Sequence, residues 1–404
     1  MKNKSFHWLI VAGLALAGCW TAHAGGSLTV HEWGTFTSFQ GGDGALMDWL
    51  PVKTSKLPEF VYNWGNPGFT KQPAMSPGGG KFTLMALQRL ETPVVYFYSD
   101  TPRRVDLNVA LPKGSITEWF PRADFADCGG RTGLIQWSNL LVMPAGAGAV
   151  LSHPANADHY FTARETDSDI VKSKDETEKF LFYRGLGHFA TPLKVTMASD
   201  FSVTLTNTGT EPIAQLFVFD VDDNAGSFKS IHGLKPGEER VVTAPRFYKN
   251  AQPPGERLAD QISRAMAKAL VQAGLYPREA EAMVNTWRDS WFREKGLRVM
   301  YILPRPWTDR VLPMDMRPTP EKLVRVMVGR AEVLRPGTEK ELVADIYGSR
   351  GGNEAAAQRV RQTLKSLGRF ASPAFNRAMA DARELKPEEQ KDLYSRLGGQ
   401  PSFE

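Results

Sequence analysis

Between residues 28 and 244, short apolar or alternating runs recur, each bounded by Gly, Pro, Asn or Asp. No other feature constrains the fold as strongly. Successive side chains on a strand point to opposite faces, so alternation marks a strand with one buried face, and the breaks mark where it turns. The runs at 35–39, 93–98, 105–111, 134–137, 140–143, 160–163, 180–183, 193–197, 201–206, 214–220 and 239–243 predict strands. Their spacing suits a β-sandwich better than alternating βαβ units. Gln40-Gly41-Gly42-Asp43-Gly44 predicts a hairpin turn, because Gly and Asp tolerate the positive φ that such turns need.

The texture changes at Asn250-Ala-Gln-Pro253-Pro254-Gly255. Leu258, Ile262, Met266 and Leu270 then recur every four residues, which predicts an amphipathic helix over 256–273 with Gly274 as its stop. Pro277 opens a second helix where its missing N–H costs nothing. Ala280, Met283, Val284, Trp287 and Trp291 form that helix's buried stripe, and Gly296 ends it. The pair reads as an αα-hairpin. Strands follow at 297–303 and 322–328, both expected to rejoin the β body. The C-terminus is helical, with Thr338-x-x-Glu341 as a capping box and Asn353 and Ser372 as N-caps. Gly368 and Gly398 are the expected stops. The fold class expected is α+β, predominantly β: a β-sandwich body with a helical C-terminal part. The divisions are a β-rich domain over 25–192, a module over 193–250, and a mainly helical region with two strands over 251–404. The stretch 193–245 resembles the immunoglobulin-like sandwich modules common in exported bacterial proteins.

Residues 1–24 read as an export signal. Lys2 and Lys4 precede an almost wholly apolar run over 6–18, which is too short to span a bilayer permanently. Two cuts compete. Leu16-Ala17-Gly18-Cys19 has the form of a lipobox, and Ala22-His23-Ala24 that of an ordinary signal-peptidase site. The chain has 2 cysteines, and one falls where lipidation requires it, so the lipobox is the rarer coincidence. The expectation is a periplasmic or outer-envelope protein held to the membrane by a lipid on Cys19, with free secretion as the alternative. The second cysteine, Cys128, then has nothing to bridge to, so stability rests on packing by 10 Trp and 22 Phe. A formal charge of +5, with no block of Lys and Arg among aromatics, argues against a nucleic-acid partner.

Several phrases occur together: Val30-His-Glu-Trp-Gly-Thr-Phe-Thr-Ser38, Ile116-Thr-Glu-Trp119, Ala163-Arg-Glu-Thr-Asp167, Phe182-Tyr-Arg-Gly185, and Gly274-Leu-Tyr-Pro through Trp291. Together they resemble a family of large exported bacterial proteins marked by the HEWGTFTS phrase. The resemblance implies an export setting and no catalytic role.

Three kinds of chemistry have candidate residues. Hydrolysis of a glycosidic bond needs two carboxyls about 5–10 Å apart. Glu165 and Asp167 beside Arg164, and Glu32 and Glu118 beside Trp33 and Trp119, offer such sets, with Arg184 nearby in the Phe-Tyr-Arg-Gly phrase. His31 and Glu32 are strand neighbours and should face opposite ways. A zinc site would draw on His31, His153, His159 and His188. A calcium loop would draw on Asp220, Asp222 and Asn224, although Ile231 stands where the bidentate Glu of an EF-hand belongs. Against each stands a plainer reading: a braced hairpin, a solvated charged loop with one structural Arg–carboxylate pair, and an Asx-rich turn. The leading functional expectation is an envelope protein that binds a protein partner or a polymer such as a carbohydrate. The alternatives are an exported carbohydrate hydrolase and a metal-dependent periplasmic enzyme.

Overall fold

A computed structural model describes residues 26–49, 57–63, 86–127, 133–145, 151, 159–381 and 385–397. Cys19, Cys128, His153 and Gly398 lie outside the described residues.

Nine strands form the main sheet. In spatial order they are β14 (Gly226–Leu234), β13 (Ile213–Val221), β16 (Gly296–Ile302), β18 (Lys322–Val333), β1 (Leu28–Gln40), β3 (Gln88–Ser99), β10 (Leu181–Gly187), β5 (Gly114–Phe120) and β2 (Tyr62–Asn63). A second sheet holds β11 (Leu193–Ser199), β12 (Ser202–Asn207) and β15 (Glu239–Thr243). The third runs β17 (Met314–Arg317), β4 (Arg103–Val109), β7 (Ile135–Met143), β8 (Ile170–Ser173) and β9 (Glu176–Glu178), with β6 (Phe125–Ala126) beside β7. The helices are α1 (His159–Thr162), α2 (Glu256–Gln272), α3 (Pro277–Arg288), α4 (Arg305–Val311), α5 (Pro336–Gly348), α6 (Glu354–Leu367), α7 (Ala371–Asp381) and α8 (Pro387–Leu397). The α+β, mostly β class is therefore as expected, and no described helix is long and apolar enough to cross a membrane.

The strand β1 sits near the middle of the main sheet, parallel to β18 and antiparallel to β3. Both of its faces are covered, so it carries no exposed residue and its alternation is between two kinds of core. On one face Val30, Phe36, Val95, Phe97 and Val299 meet the smaller sheets through Leu107, Val142, Val203 and Leu205. On the other, Trp33, Val94, Phe217 and Val326 meet Leu258, Ile262, Met266 and Met283 of the helical hairpin. Each such side chain, fully buried, contributes about 1.5–3 kcal/mol of transfer free energy. Farther along the same face, Phe39 and Trp49 pack on Leu342, Val360 and Phe375 of the C-terminal helices.

The two C-terminal strands rejoin the β body as expected, and they do so at its centre: β16 and β18 lie between β13 and β1. Strands of the 193–250 stretch divide between two sheets, with β11, β12 and β15 in the second and β13 and β14 in the main one. The turn after Gln40 forms, with Gly44 at φ 79 and its N–H donating to Gly41 O at 2.9 Å. Gly274, at φ 117, ends the hairpin's first helix. Three local expectations fail. The run 160–163 is a helical turn, α1, because its aromatic rings gather on one cluster instead of alternating. The helix α5 starts at Pro336, one turn's fixed φ ahead of the Thr338 signature, so Thr338 and Glu341 lie inside it. Ser372 lies in the first turn of α7, which starts at Ala371. The Asn353 cap forms, accepting from Ala356 N at 3.3 Å.

Candidate functional site

The start of α3 carries the geometry richest in functional groups. Pro277 occupies its first turn and Glu279 the third position. There the Glu279 carboxylate turns back and accepts the Tyr276 N–H at 2.7 Å, satisfying a donor the helix leaves over. The same carboxylate reaches the main sheet. His31 Nδ1 on β1 lies 2.7 Å from Oε2, and the Tyr98 hydroxyl on β3 donates to Oε1 at 2.7 Å. Glu279 and His31 are both fully buried. Three donors on one carboxylate, together with the positive end of the helix, offset the cost of burying it. Burial and the neighbouring Glu279 push the Tyr98 phenol well above its ordinary range, so it stays a donor. His31 Nε2 is buried with no hydrogen-bond partner among the described residues.

Above this cluster lies a cleft of about 390 Å³ lined by Tyr98, Asp167, Tyr276, Pro277, Arg278 and Glu279. The Tyr276 ring lies 4.4 Å from the His31 ring and stands at 85° to Tyr98, and it is 39% exposed. Asp167 and Arg278, both exposed, pair at the rim.

The remaining candidates from the sequence are dispersed. His31 and Glu32 face opposite ways, as alternation requires. Glu32 accepts from Tyr183 Oη and from Arg325 Nε, the latter at 2.6 Å, and Arg325 also holds Asp309 at 2.8 Å. Burial and Glu32 keep the Tyr183 phenol protonated, far above its ordinary range. Glu32 therefore ties β1 to its register partner Arg325 on β18. Arg164 forks onto Glu178 at 2.6–3.1 Å and stacks on Phe161, whose ring centre is 4.8 Å from its guanidinium carbon. Glu165 is exposed on the loop that follows. Glu118 stands opposite Arg184 in the β5–β10 register, and Arg184 Nη2 lies 3.3 Å from His159 Nε2. Burial, with Arg184 beside it, pushes the His159 imidazole down to about 4, so it is neutral at pH 7. His188 is exposed. Among the described hydrolase and zinc candidates, only His31 and Asp167 reach the cleft region together.

At the predicted calcium loop, guanidinium groups hold the carboxylates. Arg335 pairs with buried Asp220, and Arg246 Nη1 donates to Asp222 at 3.1 Å. The N–H groups of Asn224 and Ala225 both reach Asp222 Oδ1 at 2.9 Å, which is the geometry of an Asx turn. A cation there would have to displace two arginines. Among the described residues, no group of three or more His, Cys, Asp or Glu side chains is arranged to hold a metal ion.

Sequence reasoning missed Tyr98, Tyr276, Arg278 and Glu279. The signal for the last was present: a Pro at the first helical position followed two residues later by Glu marks a carboxylate folded back on the helix start.

No protein-family model matches the chain, and no curated protein sequence matches it. Among the solved structures that resemble it weakly are three mu-homology domain structures. The yeast delta-COP-I mu-homology domain aligns with a TM-score of 0.30 and 9% identity, covering 76% of this chain and 98% of that one. The same domain complexed with the Dsl1 WxWxV peptide gives 0.31 and 9%, again covering 76% and 98%. The Fcho1 mu homology domain of Danio rerio, with bound Eps15 peptide, gives 0.29 and 6%, covering 77% and 96%. At these scores the likeness supports no conclusion about fold or function.

Proposed function

We propose that this chain is an exported envelope protein that binds a carbohydrate polymer in the cleft at the start of α3. The carrying observation is the partly exposed Tyr276 ring beside the Asp167–Arg278 pair. A sugar is amphipathic in the same sense: its C–H face packs on an aromatic ring while its hydroxyls take charge-assisted hydrogen bonds. A cleft of about 390 Å³ lies at the small end of ligand pockets and suits one segment of a chain better than a large folded ligand. The phrases the cleft draws together, HEWGTFTS, ARETD and GLYP, are those that resemble the exported family, and they support membership of it. The Leu-Ala-Gly-Cys19 sequence supports a lipid tether. Fatty-acid labelling of wild type but not of Cys19→Ala is the expected result, and an unlabelled wild type would remove the tether.

One observation favours a second reading, hydrolysis of the same polymer. Asp167 and Glu279 both line the cleft, and His31 sits on Glu279. Binding is preferred because Glu279 already accepts three hydrogen bonds and has no free role as a proton shuttle. The test is calorimetry of the full mature protein against soluble envelope oligosaccharides. Binding should weaken by about tenfold in Tyr276→Ala, the upper end of what one aromatic contact contributes. Unchanged affinity in that variant would remove the cleft as the site. Release of shorter sugars, abolished by Asp167→Asn, would establish hydrolysis instead.

A further inference from the structure

The chain enters the fold at one corner of the main sheet. Arg103 Nη2 donates to Gly26 O, and the Ser27 N–H donates to Asp100 Oδ2 at 3.0 Å. The strand β1 then starts at Leu28, whose carbonyl accepts the Glu321 N–H at 3.0 Å. The next residue, Thr29, stands between Tyr98 on β3 and Lys322 on β18, each about 5 Å away across the sheet. Both neighbours lead to the cleft at α3. Tyr98 lines it, and Lys322 Nζ lies 5.9 Å from the centre of the Tyr276 ring. His31, which bonds Glu279 beneath the cleft, is about 10 Å from Leu28 along β1. The entry point of the chain and the cleft therefore share one rim.

The other end of β1 lies under the C-terminal helices. Phe39, about 36 Å from Leu28 along the strand, packs with Val360 and Leu364 of α6. A compact chain of this length is about 50 Å across. The sequence from Cys19 to Gly26 reaches at most about 25 Å in full extension, half of that width. A lipid on Cys19 would therefore hold the Leu28 corner no farther from the bilayer than about half the width of the molecule, and the cleft with it. A saccharide carried on a lipid of that membrane stays within this range, at the effective concentration of about millimolar that a short tether sets. A free polymer has to enter the gap between the body and the bilayer.

We infer that the cleft takes the saccharide of a glycolipid embedded in the membrane that holds the tether, in place of a free polymer. The inference rests on the lipid tether and on the carbohydrate reading of the cleft, and narrows that reading to a lipid-borne source.

The test uses the full lipidated protein on phosphatidylcholine vesicles with and without lipopolysaccharide. The probe is the oligosaccharide released from that same lipopolysaccharide. On plain vesicles it should bind saturably, as the carbohydrate reading requires. On vesicles that carry lipopolysaccharide, half-occupancy should need at least about tenfold more of it, because lipid-borne copies beside the tether hold the cleft. Equal half-occupancy on the two kinds of vesicle would overturn the lipid-borne source and leave the carbohydrate reading standing. No binding on either would overturn both. Orientation is read separately, by energy transfer to a headgroup dye from labels at Thr101→Cys, beside Asp100, and at Gln362→Cys, exposed on α6, each combined with Cys128→Ser. Transfer should be stronger from position 101. Equal or stronger transfer from position 362 would overturn the inference whatever the binding shows.

Discussion

At the α3 end of the main sheet's helical face, one carboxylate, Glu279, collects three donors from three separate elements. Farther along the same face runs a charged seam in which Glu91, Glu118, Glu294 and Glu332 lie among Arg89, Arg184, Arg298, Arg330 and Arg369, and Arg330 Nη1 and Arg369 Nε and Nη2 find no acceptor among the described residues. Both clusters have buried carboxylates at their centres, Glu279 and Glu91, and both join the sheet to helices. They differ in what their partners are. The donors to Glu279 are a phenol, an imidazole and a backbone amide, so the cluster is held by hydrogen bonds and a helix end. The seam is held by ion pairs, and each carboxylate in it offsets guanidinium charge that the fold has already buried. Polar groups that look alike in a burial profile should therefore respond very differently to the loss of a charge.

The largest expected effect comes from Glu91→Gln. This isosteric change takes the charge from a carboxylate that buried guanidiniums hold and should cost about 3–5 kcal/mol, the range for breaking a buried pair from one side. The arginines around Glu91, first Arg369 and then Arg89, already hold its carboxyl well below the usual range against the opposing effect of burial. Denaturant unfolding measures the loss. The same Glu-to-Gln change at Glu279 should cost less, because two of its three donors are a phenol and a backbone amide and an amide oxygen still accepts from them. Equal losses at the two positions would dissolve the contrast between the clusters.

Next in size is a pH effect that belongs to the seam alone. Burial and Arg184 depress His159 from 6.5 to about 4 in the folded protein. Above about pH 6.5 the imidazole is neutral in both states and contributes its full share of stability. As the pH falls toward about 4, the unfolded chain takes up the proton first and stability declines, by up to about 3 kcal/mol for this group. Glu91, depressed as well, adds its loss only below its ordinary value of 4.5. Between about pH 6.5 and 5 the histidine therefore titrates ahead of Glu91. In His159→Gln the slope of stability against pH across that window should flatten. A slope that persists unchanged would place the titrating group elsewhere.

The clusters also differ in how far they could be read from the sequence. The αα-hairpin was legible from Leu258, Ile262, Met266 and Leu270, because a helix stripe is a local pattern, and all four are buried as expected. The opposite orientations of His31 and Glu32 were legible for the same reason. Even so, Glu32 read as a catalytic candidate, and its partner Arg325 lies 293 residues away. Nothing local announces that pairing. The seam is less legible still: Arg89, Arg298, Arg330 and Arg369 come from three strands and a helix junction, and each alone reads as a surface charge. Arg184 and Glu118 were singled out for chemistry, yet their place in the seam depends on strand order, which the sequence pattern does not encode. The cleft lies between these extremes. Pro277 and Glu279 carry a local helix-start signature, whereas the meeting of Tyr98 with Tyr276 depends on how β3 runs beneath α3.

The smallest change tests the cleft side of the comparison. Tyr98→Phe removes one of the three donors on Glu279 and leaves the other two, His31 Nδ1 and the Tyr276 N–H, in place. The lost hydroxyl faces a cleft that is open to solvent, so water can take its position on Oε1. The expected loss is about 1 kcal/mol, that of one ordinary hydrogen bond. Thr37→Val is the matching deletion in the seam, where Thr37 Oγ1 donates to Glu91 at 2.7 Å in a fully buried setting. Thr37 and Glu91 are both buried, and the carboxylate bonded is one that arginines hold ionised, so this loss should be larger, about 2 kcal/mol. The order of the two is the informative quantity. If Tyr98→Phe cost as much as Thr37→Val or more, the cleft would have to be closed in solution, and Glu279 would depend on all three of its donors as the seam carboxylates depend on theirs. A closed cleft could not admit a sugar, so the same pair of unfolding curves also bears on the carbohydrate proposal.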